Sequence, residues 1–184
     1  RGEYVAGEGD RLFFALWPDS ELRAQLARRR PSAGGRAIIP ENLHLTLVFL
    51  GAVPDSARDA LTEGAASVIA PAFEMVLDRQ GHWRRAGIQW LAPSRVPGPL
   101  QQLHRQLRSV AMTAGLEVES RTYRPHVTLA RKAPPGAEGE LVPPIHWVAQ
   151  DFVLARSSLT SEGSRYEVVG RWPLTLPDEA SPMF

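Results

Sequence analysis

The 184-residue chain contains no cysteine. That excludes disulfides, thiolate metal ligands and a cysteine nucleophile, and it fits a reducing cytoplasm better than a disulfide-stapled secreted scaffold. Long hydrophobic runs are also missing: no stretch approaches the roughly 18 apolar residues of a membrane span. The opening Arg1 to Asp10 is charged and glycine-rich, without the apolar core of a signal peptide, so it is expected to be a flexible N-terminal segment of a soluble protein. Because the first residue is Arg1, an initiator methionine or a few preceding residues are expected to be absent. Neither sign of charge dominates. A formal net charge of +1 argues against affinity resting wholly on a polybasic surface. What is present is a 43% hydrophobic composition, enough for one good core or two small lobes sharing an interface, and hence a single domain over residues 1–184.

Arg11 to Trp17 (RLFFALW) reads as a buried strand ended by Pro18. Asp19 is a fitting N-cap for a helix that carries Leu22 and Leu26 on one face and stops at Arg28-Arg29-Arg30-Pro31. A glycine-rich loop, Ser32 to Arg36, leads through Pro40 to the strand HLTLVFLG at 44–51. A helix is predicted from Asp55 to Ile69, then strands Phe73 to Arg79 and Ile88 to Ala92 joined by a hairpin-like connection over 79–87. Leu100, Leu103, Leu107, Val110 and Ala111 give a helical period that closes at Gly115, a C′ glycine. HVTLAR follows Pro125, a proline-rich loop is expected over 134–144, and Trp147 to Ser157 with Tyr166 to Leu174 reads as a hairpin. The order helix, histidine strand, further strands occurs twice.

Only one tetrapeptide ties the halves together: His44-Leu45-Thr46-Leu47 recurs as His126-Val127-Thr128-Leu129. Five histidines and seven threonines in a chain of this length give roughly 0.2 chance matches to His-x-Thr, so two in matching contexts point to a duplicated lobe. The alternation of a strand puts His44 with Thr46 on one face, along with Val48 and Leu50, and His126 with Thr128 on one face of the other strand. A pseudo-twofold axis would let both pairs line one groove. Two imidazoles titrating near neutrality can take a proton from water and give one to a leaving oxygen, which is acid–base chemistry without a nucleophile, metal or cofactor. A phosphodiester suits such a site, since displacement at phosphorus is in line and needs charge stabilisation. One good ligand per strand falls short of the three or four that zinc requires.

HLTLVFLG, preceded by Pro40-Glu41-Asn42, together with YRPHVTLAR at 123–131, resembles the motifs of the two-histidine (2H) phosphoesterase superfamily. Within it the chain is similar to the bacterial and archaeal RNA 2′,3′-cyclic phosphodiesterases, once described as 2′-5′ RNA ligases. The resemblance runs from the RLFFALWP opening to the YEVVGRWPL strand. It implies an α+β, bilobal fold, with two pseudo-twofold lobes of antiparallel sheet plus helices around a central groove. It implies opening of an RNA terminal 2′,3′-cyclic phosphate to a 2′-phosphomonoester, with His44 as proton donor, His126 as proton acceptor and Thr46 and Thr128 on phosphate oxygens. Where members often carry an aromatic residue in the loop before the first motif, this chain has Arg36-Ala37-Ile38.

Around the second motif, Arg131 is a candidate for the nonbridging oxygens, although a regular strand would turn it away from His126, so that role needs a twist in the chain. Arg124 is a second substrate-binding candidate and Tyr123 a base-stacking one. Arg84-Arg85 and Arg121 could line an RNA groove or be solvated. His82, His104 and His146 read as structural or surface groups, with His82 the one that could reach the groove. The expected partner is RNA with a cyclic phosphate end, or a cyclic nucleotide, bound by a cytoplasmic monomer without a membrane. Three functions stay open on residues alone: the phosphodiesterase, a catalytically silent RNA-end-binding module, and the reverse ligation of a cyclic end to a 5′-hydroxyl. No nucleotidyl-transfer lysine motif is present and Lys132 is the single lysine, which excludes an ATP-dependent ligase.

Overall fold

Each half of the molecule contains a strand, a helix and a second strand that a motif histidine immediately precedes. The computed structural model describes residues 9–175. Most of the segment expected to be flexible lies outside them, but Asp10, its last residue, belongs to the first strand and accepts hydrogen bonds from Arg58 and Arg156. The first unit is β1 (Asp10–Leu16), α1 (Ser20–Ala27) and β3 (Leu45–Val53), with the two-residue β2 (Arg36–Ala37) and a 3₁₀ turn at Pro40–Asn42 between the last two. After α2 (Asp55–Ala66) and β4 (Phe73–Trp83), the second unit is β5 (Ile88–Ala92), α3 (Gly98–Thr113) and β6 (Val127–Arg131). The strands β7 (Gly139–Ala149), β8 (Asp151–Thr160) and β9 (Gly163–Pro173) complete the sheet.

The strand order is β7-β4-β5-β6-β3-β1-β8-β9, with β2 paired to β6. Read outward from its middle, it is β3, β1, β8, β9 on one side and β6, β5, β4, β7 on the other. The two expected lobes are therefore the halves of one antiparallel arrangement. They meet at the register pair Leu45↔Val127, the residues that follow the two histidines. Helix ends obey the local rules: the Asp19 carboxylate accepts from Leu22 N at 2.8 Å, and Leu116 N reaches Ala111 O across Gly115, whose φ is 88°. Leu100, Leu103, Leu107 and Ala111 bury one face of α3. Among the described residues no helix is long and apolar enough to cross a membrane.

Four expectations are corrected. The helix after Asp55 ends at Ala66, three residues before the expected Ile69, which is 78% exposed. β4 runs on to Trp83, leaving a tight turn instead of a 79–87 connection. The proline-rich loop is confined to 134–138, and residues 139–144, with Pro143 and Pro144, belong to edge strand β7. The ladder jumps from Leu77↔Ile145 to Arg79↔Glu140, so Leu141 to Pro144 loops out of it, and an edge strand tolerates prolines because one side of its backbone needs no ladder partner. Finally, Trp147 to Ser157 is two strands that separate at Gln150: β7 pairs with β4, and β8 with β1. Alternating hydrophobicity continues through a point where the chain changes neighbours, so the pattern does not reveal the break.

Candidate active site

Antiparallel pairing of Leu45 with Val127 brings His44 opposite Thr128 and Thr46 opposite His126, by extending the register one residue each way. All four side chains line one pocket of about 790 Å³. The two imidazoles are fixed in the same way. His44 Nδ1 lies 2.7 Å from the carbonyl oxygen of Asn42, and His126 Nδ1 lies 2.8 Å from that of Arg124, in each case two residues back. A carbonyl only accepts, so Nδ1 carries the proton in both rings and Nε2 is left for chemistry. In the neutral ring, His44 Nε2 accepts from the Thr46 hydroxyl at 2.9 Å.

The rings are packed differently. His44 is stacked on Trp17 at 5.3 Å and 16°, with Phe13 at 4.9 Å and Tyr166 edge-on at 5.3 Å. His126 has Trp83 edge-on at 4.5 Å. Desolvation by this aromatic shell pushes His44 down to about 4, against an ordinary 6.5, and the carbonyl of Asn42 opposes it in part. His126 is lowered too, first by desolvation and then by the positive charge of Arg131. Both shifts favour the neutral rings, and an anion brought between them opposes this by favouring the charged forms.

β-Bulges explain how two further side chains reach the site. Against β1, Ala15 pairs with Thr46 but Phe14 pairs with Val48, so Leu47 is an extra residue in β3. Against β5, Trp90 pairs with Thr128 but Gln89 pairs with Ala130, so Leu129 is an extra residue in β6. These leucines hold equivalent places in the two motifs. An extra residue inverts the alternation beyond it. Phe49 joins the histidine face, 64% exposed in the pocket, while Val48 and Leu50, both expected beside His44, are buried, with Val48 still at the pocket wall. Arg131, the counterpart of Phe49, likewise turns into the pocket, where a regular strand would have pointed it away from His126.

The first bulge is held from α3 and the approach to β6. Tyr123 OH donates to Thr46 O at 2.8 Å and His104 Nδ1 donates to Leu47 O at 2.8 Å, with the two rings stacked at 4.0 Å and 3°. Tyr123 lines the pocket, but it is half-buried, with its ionisation pushed up by desolvation and one ring face covered by His104. Arg124 also lines the pocket. His82 Nε2 donates to Ala133 O at 2.7 Å and the ring is not part of the lining, and His146 lies beside Glu74 on the surface.

Sequence reasoning missed Asn42, the one buried polar residue among the described ones. Its carbonyl orients His44, its side-chain amide donates to Ser164 O at 2.9 Å, and its Oδ1 accepts from Tyr166 N at 3.2 Å. This ties the first motif to β9 and holds Tyr166 against His44. The available signal was a polar residue two positions before a motif histidine. Phe49 and His104 carried no such signal.

A family model described as the 2′-5′ RNA ligase superfamily matches residues 18–161. The RNA 2′,3′-cyclic phosphodiesterase of Escherichia coli K12 is 37% identical over 176 residues, covering 91% of this chain and 98% of its own length. That of Thermus thermophilus is 31% identical over 182 residues, covering 89% and 90%. Among solved structures, E. coli LigT complexed with 3′-AMP superposes with a TM-score of 0.79 at 36% identity, over 91% of this chain and 99% of its own.

Proposed function

Because the chain belongs to the 2′-5′ RNA ligase superfamily, we propose that it hydrolyses the 2′,3′-cyclic phosphate at an RNA end to a 2′-phosphomonoester. The observation that carries this reading is the pair of imidazoles from equivalent strands, each with Nδ1 engaged by a carbonyl two residues back and Nε2 directed to chemistry in one pocket. His126 is the less enclosed ring. Its neutral Nε2 removes a proton from water as the water oxygen attacks phosphorus. The bond from phosphorus to the 3′ oxygen breaks, and His44 gives that oxygen a proton from Nε2, leaving the phosphate on the 2′ oxygen.

His44 enters this role once the anionic phosphate has raised its proton affinity from the low value of the empty site. Thr46 then exchanges its bond to His44 for a phosphate oxygen, opposite Thr128. Arg131 neutralises the nonbridging oxygens as charge develops, and Phe49 offers an exposed ring for the terminal base. Arg124 lies on the same wall and Tyr123 fixes it. Attack by an RNA 5′-hydroxyl on the cyclic phosphate is the same chemistry with water replaced, so ligation is a side activity. Both motifs come from one chain, so a monomer completes the site, and a cysteine-free protein is suited to the cytoplasm.

The test is incubation in EDTA with a short RNA ending in a 2′,3′-cyclic phosphate, the product being read by phosphorus NMR. A 2′-phosphate is expected. His44→Ala and His126→Ala should each reduce turnover by at least about 10²-fold, the scale of general acid or base catalysis. Turnover near that of the wild type in either variant would remove that histidine from the mechanism.

A further inference from the structure

Positive charge from three separate segments is gathered at the rim of the pocket beside Arg131. Arg36 on β2 is the register partner of Arg131 on β6, so two arginines stand opposite one another on paired strands. Lys132 follows directly. Ala133 N donates to Gly87 O at 2.9 Å, which ties the β4–β5 turn, carrying Arg84 and Arg85, to the end of β6. The loop before β2 is as close: a Cβ on Gly35, whose φ is +77°, would come within 2.6 Å of Ala133 Cα. Backbone contacts thus hold Arg36, Arg84, Arg85, Arg131 and Lys132 on one exposed rim.

Among the described residues none of these five has an ion-pair or side-chain hydrogen-bond partner, whereas Arg58, Arg121, Arg156, Arg165 and Arg171 all face carboxylates. Like charges directly across a strand pair are destabilising. Lys132 adds backbone strain, with φ of 48°, in a region that side-chain-bearing residues rarely adopt. In a protein whose formal net charge is only +1, this local excess is not general basicity. It continues into the active site, since Ala86 of the β4–β5 turn and Arg131 also line the pocket.

We infer that this rim is the path of the RNA strand that leads to the cyclic end, with Arg36, Arg84, Arg85 and Lys132 holding phosphates of the nucleotides that precede the terminal one. The inference rests on the proposed function and adds to it a preference for an oligonucleotide over a mononucleotide. The terminal phosphate is handled by His44, Thr46, His126, Thr128 and Arg131; the rim contributes only when a chain extends from it.

The experiment compares adenosine 2′,3′-cyclic phosphate with an RNA octamer ending in the same group, for the wild type, Arg84→Gln/Arg85→Gln, Lys132→Gly and the control Arg171→Gln, a residue that faces Asp151 and is not part of the pocket lining. For the octamer, kcat/KM is expected to exceed that of the mononucleotide by about tenfold or more, and to fall about tenfold in the double variant, with the mononucleotide unchanged. The slope of log Kd against log salt, from anisotropy of a labelled octamer, should shrink by about 1.4 when two phosphate contacts are lost from a single strand. Lys132→Gly relieves the strained backbone, so lower octamer affinity with undiminished Tm separates a binding role from misfolding. An octamer no better than the mononucleotide, or variants that keep its advantage, overturns the path. If neither substrate is turned over, the proposed function fails, and the anisotropy decides the rim by itself: variant-sensitive binding supports it, unchanged binding overturns it.

Discussion

At the scale of single residues, the two histidines are equivalent in sequence and unequal in surroundings. Each donates through Nδ1 to a carbonyl two residues back. His44, enclosed by Phe13, Trp17 and Tyr166, is the more strongly depressed ring, and His126 has Trp83 and open pocket around it. An acid and a base can be distinguished by the leaving group. An aryl phosphodiester expels a stable phenolate that needs no proton, so His44→Ala should recover most of its activity on that substrate. His126→Ala should stay impaired by about 10² or more. The opposite pattern, measured as kcat/KM on the aryl ester and on the cyclic RNA end, would exchange the two roles. Asn42 and Tyr123 belong to the same scale. They touch no reacting atom, and they fix the ring of His44 and the carbonyl of Thr46.

At the scale of elements, the bulges at Leu47 and Leu129 do the arranging, because each extra residue turns the next side chain but one into the pocket. The helices support this arrangement by packing. α2 lies on α3 with Gly64 against Val110: a Cβ there would meet Val110 Cγ1 at 2.6 Å, while a Cβ on Gly98 at the start of α3 meets nothing within 4 Å. Helix propensity alone would make both Gly→Ala changes stabilising by up to about 1 kcal/mol. Overpacking reverses the sign at the first. Gly64→Ala should cost about 1–2 kcal/mol and Gly98→Ala should be neutral or slightly stabilising, as read from urea midpoints at unchanged m. Equal shifts of one sign would mean that the helix interface is not close-packed there.

For the whole molecule, the price of enclosing an imidazole appears as acid sensitivity. His44 titrates near 6.5 when unfolded and is pushed down to about 4 when folded, so between these values the unfolded chain binds more protons. Stability is complete above pH 6.5 and is lost as the pH falls toward 4, by about 2–3 kcal/mol for this group, with His126 acting in the same direction. Thermal unfolding in phosphate-free buffers should therefore shift to lower Tm across that window. His44→Gln, which has no proton to take up there, should give a flatter curve. Parallel curves for the two proteins would place the acid sensitivity elsewhere.

The duplicated His-x-Thr motif, the helix cap at Asp19, the Gly115 terminus and the α+β order of elements were legible in the sequence, because each depends on a few neighbouring residues and on a period of 2 or 3.6. The same local rules brought His44, Thr46, His126 and Thr128 into view as one chemical set. They gave the wrong faces for Phe49 and Arg131, and ran Trp147 to Ser157 together as one strand. A bulge or a change of partner is defined by the strand next door, and a sequence read along its own length carries no record of register. Tertiary structure alone decided that Asn42 is buried behind His44, that His104 and Tyr123 hold the bulged backbone, and that Arg36, Arg84, Arg85 and Lys132 share one rim with Arg131. These contacts join residues from across the chain, and packing and pairing energies, not local propensity, bring them together.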